Sequence, residues 1–227
     1  MAKKSTKPAA QQQNGVEETV NRWEQFFVNN KKTIFTVMAA IIVVIAGGMI
    51  LNTSVLLPRE NRAAEALFPG ENLFTQGDYQ TALEGDGIGY EGFEAIAKQY
   101  GCTKAGRLAN LYAGLSYAQL DSAELAVKFL SKFKGSDMMV SPAALGTLAG
   151  CYADLGNNAK AAATFEKAAK KADNGLLSPY LYFQAALTYE AMGNTDKALK
   201  LYRMIQLKYP ESQEGIEAEK YIARIAK

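Results

Sequence analysis

The sequence predicts an all-α protein, with a single N-terminal transmembrane helix followed by an α-solenoid of stacked helical hairpins. One observation is an uncharged segment over residues 33–57, which is long enough to cross a membrane. The others are a tyrosine that recurs after 35 and then 37 residues, and an alanine that follows each tyrosine nine residues later. These residues are Tyr117, Ala126, Tyr152, Ala161, Tyr189 and Ala198. A recurrence near 34 residues is typical of stacked helical hairpins.

The N-terminal region divides into two predicted parts. Residues 1–15 are polar, with lysines and a glutamine run, and we expect a disordered cytoplasmic tail. Residues 16–32 predict a cytoplasmic amphipathic helix that lies in the headgroup layer. Its apolar face is Val16, Val20, Trp23 and Phe27. A simple membrane anchor is the preferred interpretation, and a partner-docking helix is the alternative.

Residues 33–57 predict the transmembrane helix. A cleaved signal peptide is disfavoured because 32 residues precede an apolar run that is too long for such a peptide. Six basic residues precede the span and two, Arg59 and Arg62, follow closely, which places the N-terminus in the cytoplasm. In a bacterium this orientation predicts an inner-membrane protein with its repeat domain in the periplasm.

Residues 58–106 predict a divergent first repeat with a Gly-rich insertion. Ala64–Phe74 fits a first helix, and Phe93–Tyr100 fits the end of a second helix. Between them, the run Gly85–Gly89 favours a loop. It lacks the spacing of a dinucleotide-binding loop, so it does not predict a phosphate site.

Residues 107–210 predict three further repeats, and residues 211–227 predict a helix that caps the last one. In the clearest copy the first helix runs over Pro179–Met192 and the second over Asp196–Tyr209. Gly193 supplies the left-handed turn between them. The alanine of each copy lies where the two helices cross, because a larger side chain would push them apart.

The composition argues against catalysis. The chain has no histidine, which removes the usual general base and the commonest metal ligand. Cys102 and Cys151 are the only cysteines and form no metal or redox motif, while their pairing in a disulfide stays open. We therefore predict no catalytic, cofactor-binding or metal-binding residue, no small-molecule substrate and no enzymatic activity. The 19 basic and 20 acidic residues after residue 57 do not indicate a nucleic-acid partner.

The first helices of the repeats predict a protein-binding groove. They carry few charges, and their apolar and small residues suit an extended or helical segment of another protein. The alternative for any one of these residues is a core position between repeats. The candidate groove residues are Leu108, Leu111, Leu115, Gly146, Gly150, Tyr180, Phe183 and Leu187.

The repeat residues resemble the tetratricopeptide repeat, which places Leu-Gly, Tyr, Gly, Ala, Phe or Tyr, Ala and Pro along 34 positions. In the middle copy they are Leu145, Leu148, Ala149, Tyr152, Gly156, Ala161, Phe165 and Ala168. No copy has the early tryptophan of the family, and Asp121 replaces the turn glycine in the first clear copy. The resemblance implies a surface that binds other proteins.

The whole layout resembles the YfgM-type ancillary subunit of the bacterial Sec translocon. The similarity is clearest in residues 16–50, with Val16–Val20, Phe26-Phe27 and Asn29-Asn30, and within the repeats. It implies association with a SecYEG-type translocon and with a prolyl-isomerase-type periplasmic chaperone, to which exported proteins are handed. The alternatives are an envelope-assembly or cell-division scaffold and a regulatory subunit of an envelope enzyme.

Overall fold

The computed structural model describes residues 29–225, and every regular element within that range is a helix. The chain forms two compact units, Met1–Leu57 and Pro58–Lys227. The predicted tail and residues 16–28 of the predicted amphipathic helix lie outside the described residues. The all-α prediction is confirmed.

The first unit contains α1, Lys31–Leu51, and a π-helical turn over Asn52–Leu56. Its apolar side chains are exposed, and Val44, for example, is 73% exposed. By length and composition, the helical segment that begins at Lys31 could cross a membrane. Apolar side chains all round a helix suit a lipid environment.

The second unit contains ten described helices. They are α2 Leu57–Thr75, α3 Tyr79–Glu84, α4 Phe93–Tyr100, α5 Lys104–Gln119, α6 Ala123–Leu130, α7 Val140–Asp154, α8 Asn158–Ala172, α9 Ser178–Ala191, α10 Thr195–Lys208 and α11 Gln213–Ile225. The pairs α5 and α6, α7 and α8, and α9 and α10 are packed hairpins, and each hairpin packs against the next. α11 packs against α10 and closes the array.

The hairpin turns use the same local chemistry. Gly156 and Gly193 both have φ of 74°, a left-handed conformation that glycine adopts without strain. Asp121 takes the equivalent place in the first hairpin with φ of 53°, which an aspartate tolerates better than most residues. Asn157 and Asn194 then cap the second helices by accepting backbone N–H groups through their side-chain oxygens.

The recurring tyrosines join successive hairpins. The Tyr189 hydroxyl donates to Glu166 Oε1 at 2.7 Å, and the Tyr117 hydroxyl donates to the Glu94 carboxylate, again 23 residues earlier. The residue 23 positions before Tyr152 is Phe129, which has no acceptor. The recurring alanines that follow the tyrosines are fully buried, as expected at helix crossings.

A charged contact fixes the start of α5. Glu60 on α2 accepts the backbone N–H groups of Lys104 and Ala105 at 2.7 and 2.8 Å. These N–H groups have no partner inside the helix, and a carboxylate is favourable at a helix N-terminus. This contact therefore holds α2 against the start of α5.

The glycine-rich loop lies between α3 and α4. The Asp86 carboxylate accepts the N–H groups of Ile88, Gly89 and Tyr90 at 2.9, 2.9 and 2.8 Å, and these bonds lower its pKa. The three donors are therefore satisfied by the loop's own side chain. They do not offer an anion site to a ligand.

Aromatic side chains attach the closing helix. Tyr221 stacks on Tyr202 with ring centroids 5.1 Å apart and meets Phe183 edge to face at 5.0 Å. An Arg224 guanidinium N–H donates to Glu190 at 2.6 Å. Ile216, on the same helix, is 69% exposed.

Candidate functional site

The first helices of the hairpins border an open groove of about 710 Å³. It lies between the end of α5, the length of α7 and the first half of α9. Its lining residues include Ala118, Gln119, Asp121, Ala143, Gly146, Thr147, Gly150, Asp154, Tyr180 and Gln184. Successive first helices therefore contribute to one surface, as a peptide-binding groove requires.

Two glycines make the groove deep along α7. A Cβ atom added to Gly150 would meet no other atom within 4 Å, so this position opens directly into free space. A Cβ atom added to Gly146 would lie 2.8 Å from Leu181 Cδ2, so this glycine allows α7 to approach α9 closely. Tyr180, which is 47% exposed, forms part of the groove wall.

The groove is more polar than the sequence suggested. Asp121 and Asp154 place two exposed carboxylates on it, and Gln119 and Gln184 add amide groups. None of the described residues that line it is basic. The groove therefore offers hydrogen-bond acceptors and negative charge beside a floor of small residues.

Only some of the predicted groove residues lie here. Gly146, Gly150 and Tyr180 are brought together, whereas Leu108 is exposed on α5 outside this groove. Leu111 is 4% exposed and belongs to a hydrophobic cluster between the first two hairpins.

Leu115 packs against that same cluster and is partly buried. Phe183 is 6% exposed and lies in the core between the last hairpin and α11, with Leu187 packed against it. Phe183 and Leu187 face the interior because α10 and α11 bury that side of α9. Leu111 and Phe183 are therefore excluded from the groove.

The sequence reasoning missed the polar members of the groove. Ala143, Thr147, Gly150 and Asp154 follow one another at helical spacings of four, three and four residues on α7. Gln184 follows Tyr180 by four residues on α9. Selecting small and polar residues along these stripes, instead of apolar ones, would have found the exposed side of each helix.

The two cysteines are free thiols in different environments. Cys151 is buried at the groove, and burial raises the pKa of its thiol, with a further contribution from the Asp154 carboxylate. Cys102 is exposed. Within residues 29–225, no group of three His, Cys, Asp or Glu side chains is arranged to hold a metal ion.

Comparison with known proteins identifies the repeats. Residues 142–170 and residues 180–212 each match a tetratricopeptide repeat model. These ranges contain most of α7 and α8, and most of α9 with all of α10, which are the hairpins that build most of the groove. No curated protein matches the chain. The chain therefore contains two segments, residues 142–170 and 180–212, that are tetratricopeptide repeats.

Proposed function

We propose that the chain is a membrane-anchored adaptor that binds partner proteins at the Sec translocon and assists the handover of exported proteins to periplasmic chaperones. Tetratricopeptide repeats support the coarser role of a protein-interaction adaptor. The observation that carries the proposal is the open groove along α7 and α9, with Gly150 on its floor and Tyr180 on its wall. Repeats of this kind are typically non-enzymatic scaffolds.

The chemistry of the groove favours a polypeptide segment. Small residues on α7 allow a backbone to approach, and the Tyr180 ring can pack against an apolar side chain of the partner. The Asp121 and Asp154 carboxylates favour a segment that carries Lys or Arg opposite them. The Gln119 and Gln184 amides can donate to and accept from a peptide backbone.

The membrane anchor supplies the second part of the mechanism. A repeat unit that begins at Pro58, directly after the apolar segment, would be confined near the bilayer. Confinement raises the effective concentration of the groove for partners in the same membrane. The resemblance to the translocon subunit identifies the proposed partners as a SecYEG-type channel and a prolyl-isomerase-type chaperone, with the N-terminus in the cytoplasm and the repeats in the periplasm of a bacterium.

The direct test is affinity purification of the full chain from membranes in mild detergent. The Gly150→Leu variant fills the groove, and its first added carbon meets no neighbour. The matched control, Ala163→Leu, adds an equally large side chain at an exposed position of α8 outside the groove.

Channel and chaperone subunits should be recovered with the wild-type chain and with Ala163→Leu, and lost with Gly150→Leu. Recovery of neither subunit with the wild-type chain would overturn the export role. Recovery with all three chains would overturn the assignment of the groove as the binding surface. Recovery of cell-division or cell-wall assembly proteins instead would favour the scaffold alternative.

A further inference from the structure

The first and second helices of the repeats differ in charge. The second helices, α6, α8 and α10, carry nine Lys and Arg residues against three Asp and Glu. The first helices, α5, α7 and α9, carry two of each. Positive charge is thus concentrated on the helices that lie away from the groove floor.

Part of this charge lines a pocket of about 380 Å³ between α4 and α6. Lys98, Lys128 and Lys132 surround it, with Glu94 as its one acidic lining residue and Phe129 as an apolar wall. The ammonium groups of Lys128 and Lys132 lie 5.3 and 5.6 Å from the centre of the Phe129 ring. Both ammonium groups therefore lie within 6 Å of the centre of one ring.

A second pocket of about 180 Å³ lies between the end of α6 and α8. It is lined by Lys134, Lys167 and Lys171, with Phe133 and Leu145 among its apolar lining residues. No described acidic residue lines it. The Lys171 ammonium donates to the Gly135 carbonyl, which fixes its position at the rim.

One carboxylate lies near this second pocket. Asp137 accepts the N–H groups of Met139, Val140 and Ser141 and the Ser141 hydroxyl. These bonds hold it just before the start of α7 and lower its pKa. Its charge offsets one of the three lysines, so the pocket keeps a net positive charge.

The six lysines of the two pockets define a lysine face. They are Lys98, Lys128, Lys132, Lys134, Lys167 and Lys171. With other described residues they form no ion pair, since the recorded pairs join Lys170 to Glu166 and Arg224 to Glu190. Adjacent unpaired positive charges repel one another unless an anion lies between them.

We propose that the lysine face binds the anionic headgroups of a phospholipid bilayer. All six charges are ammonium groups, which act as compact point charges, whereas recognition of one defined phosphate or carboxylate more often uses the planar arginine fork. The charges extend over two pockets and three helices, which suits a diffuse anionic surface. The apolar segment that directly precedes Pro58 would tether the unit that carries the face to such a bilayer.

The inference rests on the candidate membrane anchor and not on the groove. Filling the groove with Gly150→Leu should therefore leave lipid binding unchanged. If the wild-type chain binds anionic lipid but recovers no partner protein, only the groove proposal is contradicted. If it recovers partner proteins but does not bind anionic lipid, only the lysine-face proposal is contradicted.

The test is lysine acylation of the full chain in lipid nanodiscs, followed site by site with mass spectrometry. In discs containing phosphatidylglycerol, the six lysines should react about fivefold more slowly than in pure phosphatidylcholine discs. The attraction between one lysine and an anionic surface corresponds to about this factor in a binding constant. The exposed Lys220 on α11 should react equally in both. High salt should remove the protection because it screens the charges.

The variant Lys132→Gln with Lys167→Gln should weaken lipid binding about 25-fold, by two such factors, and should reduce the protection of the four remaining lysines. The matched control, Lys104→Gln with Lys220→Gln, removes two exposed charges outside the face and should keep the protection. Equal acylation in both lipids would overturn the inference. Protection in neutral discs by added polyglutamate or a DNA oligonucleotide, without protection by phosphatidylglycerol, would overturn it in favour of a soluble acidic partner.

Discussion

Replacing Phe183 with alanine should lower the free energy of unfolding of the repeat unit by about 3–5 kcal/mol. The ring is 6% exposed, and it meets Tyr202 at 5.4 Å and Tyr221 at 5.0 Å between ring centroids. Each edge-to-face pair contributes about 0.5–1.5 kcal/mol beyond the burial of apolar surface. Because Tyr221 belongs to the closing helix α11, the substitution loosens both the last hairpin and its cap.

Tyr180→Ala is the matched control on the same helix. This side chain is 47% exposed at the groove, so its loss should cost less than about 1 kcal/mol while it weakens partner binding. The assay is urea unfolding of the full chain in neutral detergent micelles, followed by circular dichroism and extrapolated linearly. A Phe183→Ala variant within about 1 kcal/mol of the wild type would refute the assignment of this ring to the core. Equal costs for the two variants would refute it as well.

Four further substitutions have defined expectations. Gly150→Ala should raise the free energy of unfolding by about 1 kcal/mol in the same urea assay, since alanine favours helix and the site is open. Gly114→Ala should lower the free energy of unfolding, because the new carbon would lie 2.5 Å from Leu130. Glu60→Ala should cost about 1.5–3 kcal/mol by removing two charge-assisted bonds to the start of α5, and an unchanged urea midpoint would contradict this. Asp137→Asn should flatten the acid limb of a stability–pH curve: the folded-state pKa of Asp137 is depressed below 3.8, so its contribution is present above that pH and lost as the pH falls further.

The helix boundaries of the last repeat could be read from the sequence to within one residue. Pro179 suits the first turn of a helix, and Gly193 and Asn194 supply the left-handed turn and the next cap. The predicted ranges, Pro179–Met192 and Asp196–Tyr209, differ by one residue from Ser178–Ala191 and Thr195–Lys208. Such signals act within a few residues of the chain, so they do not depend on tertiary contacts.

The members of the groove could be predicted only in part. Tyr180 and Phe183 are both aromatic and three residues apart, but only packing against α10 and α11 decides that Phe183 points inward. Gly146 and Gly150 could be predicted because they lie on a first helix that carries few charges.

The lysine face depends still more on tertiary structure. Lys134 and Lys171 are 37 positions apart in the sequence and meet at one pocket only because successive hairpins stack. In the sequence the same lysines alternate with carboxylates, as on any solvated helix face. Only the stacking of successive hairpins brings these lysines together in pockets that few acidic residues line.

The central claim is that the groove along α7 and α9 is the surface that binds a partner protein. The most direct measurement is photo-crosslinking in living cells with a photoreactive phenylalanine derivative at position 180, and at the 82% exposed position 207 on α10 as the control. We expect a discrete adduct with a translocon or chaperone subunit from position 180, none from position 207, and loss of the adduct when Gly150→Leu is added. An adduct from position 207 alone, or one from position 180 that survives the filled groove, would contradict it.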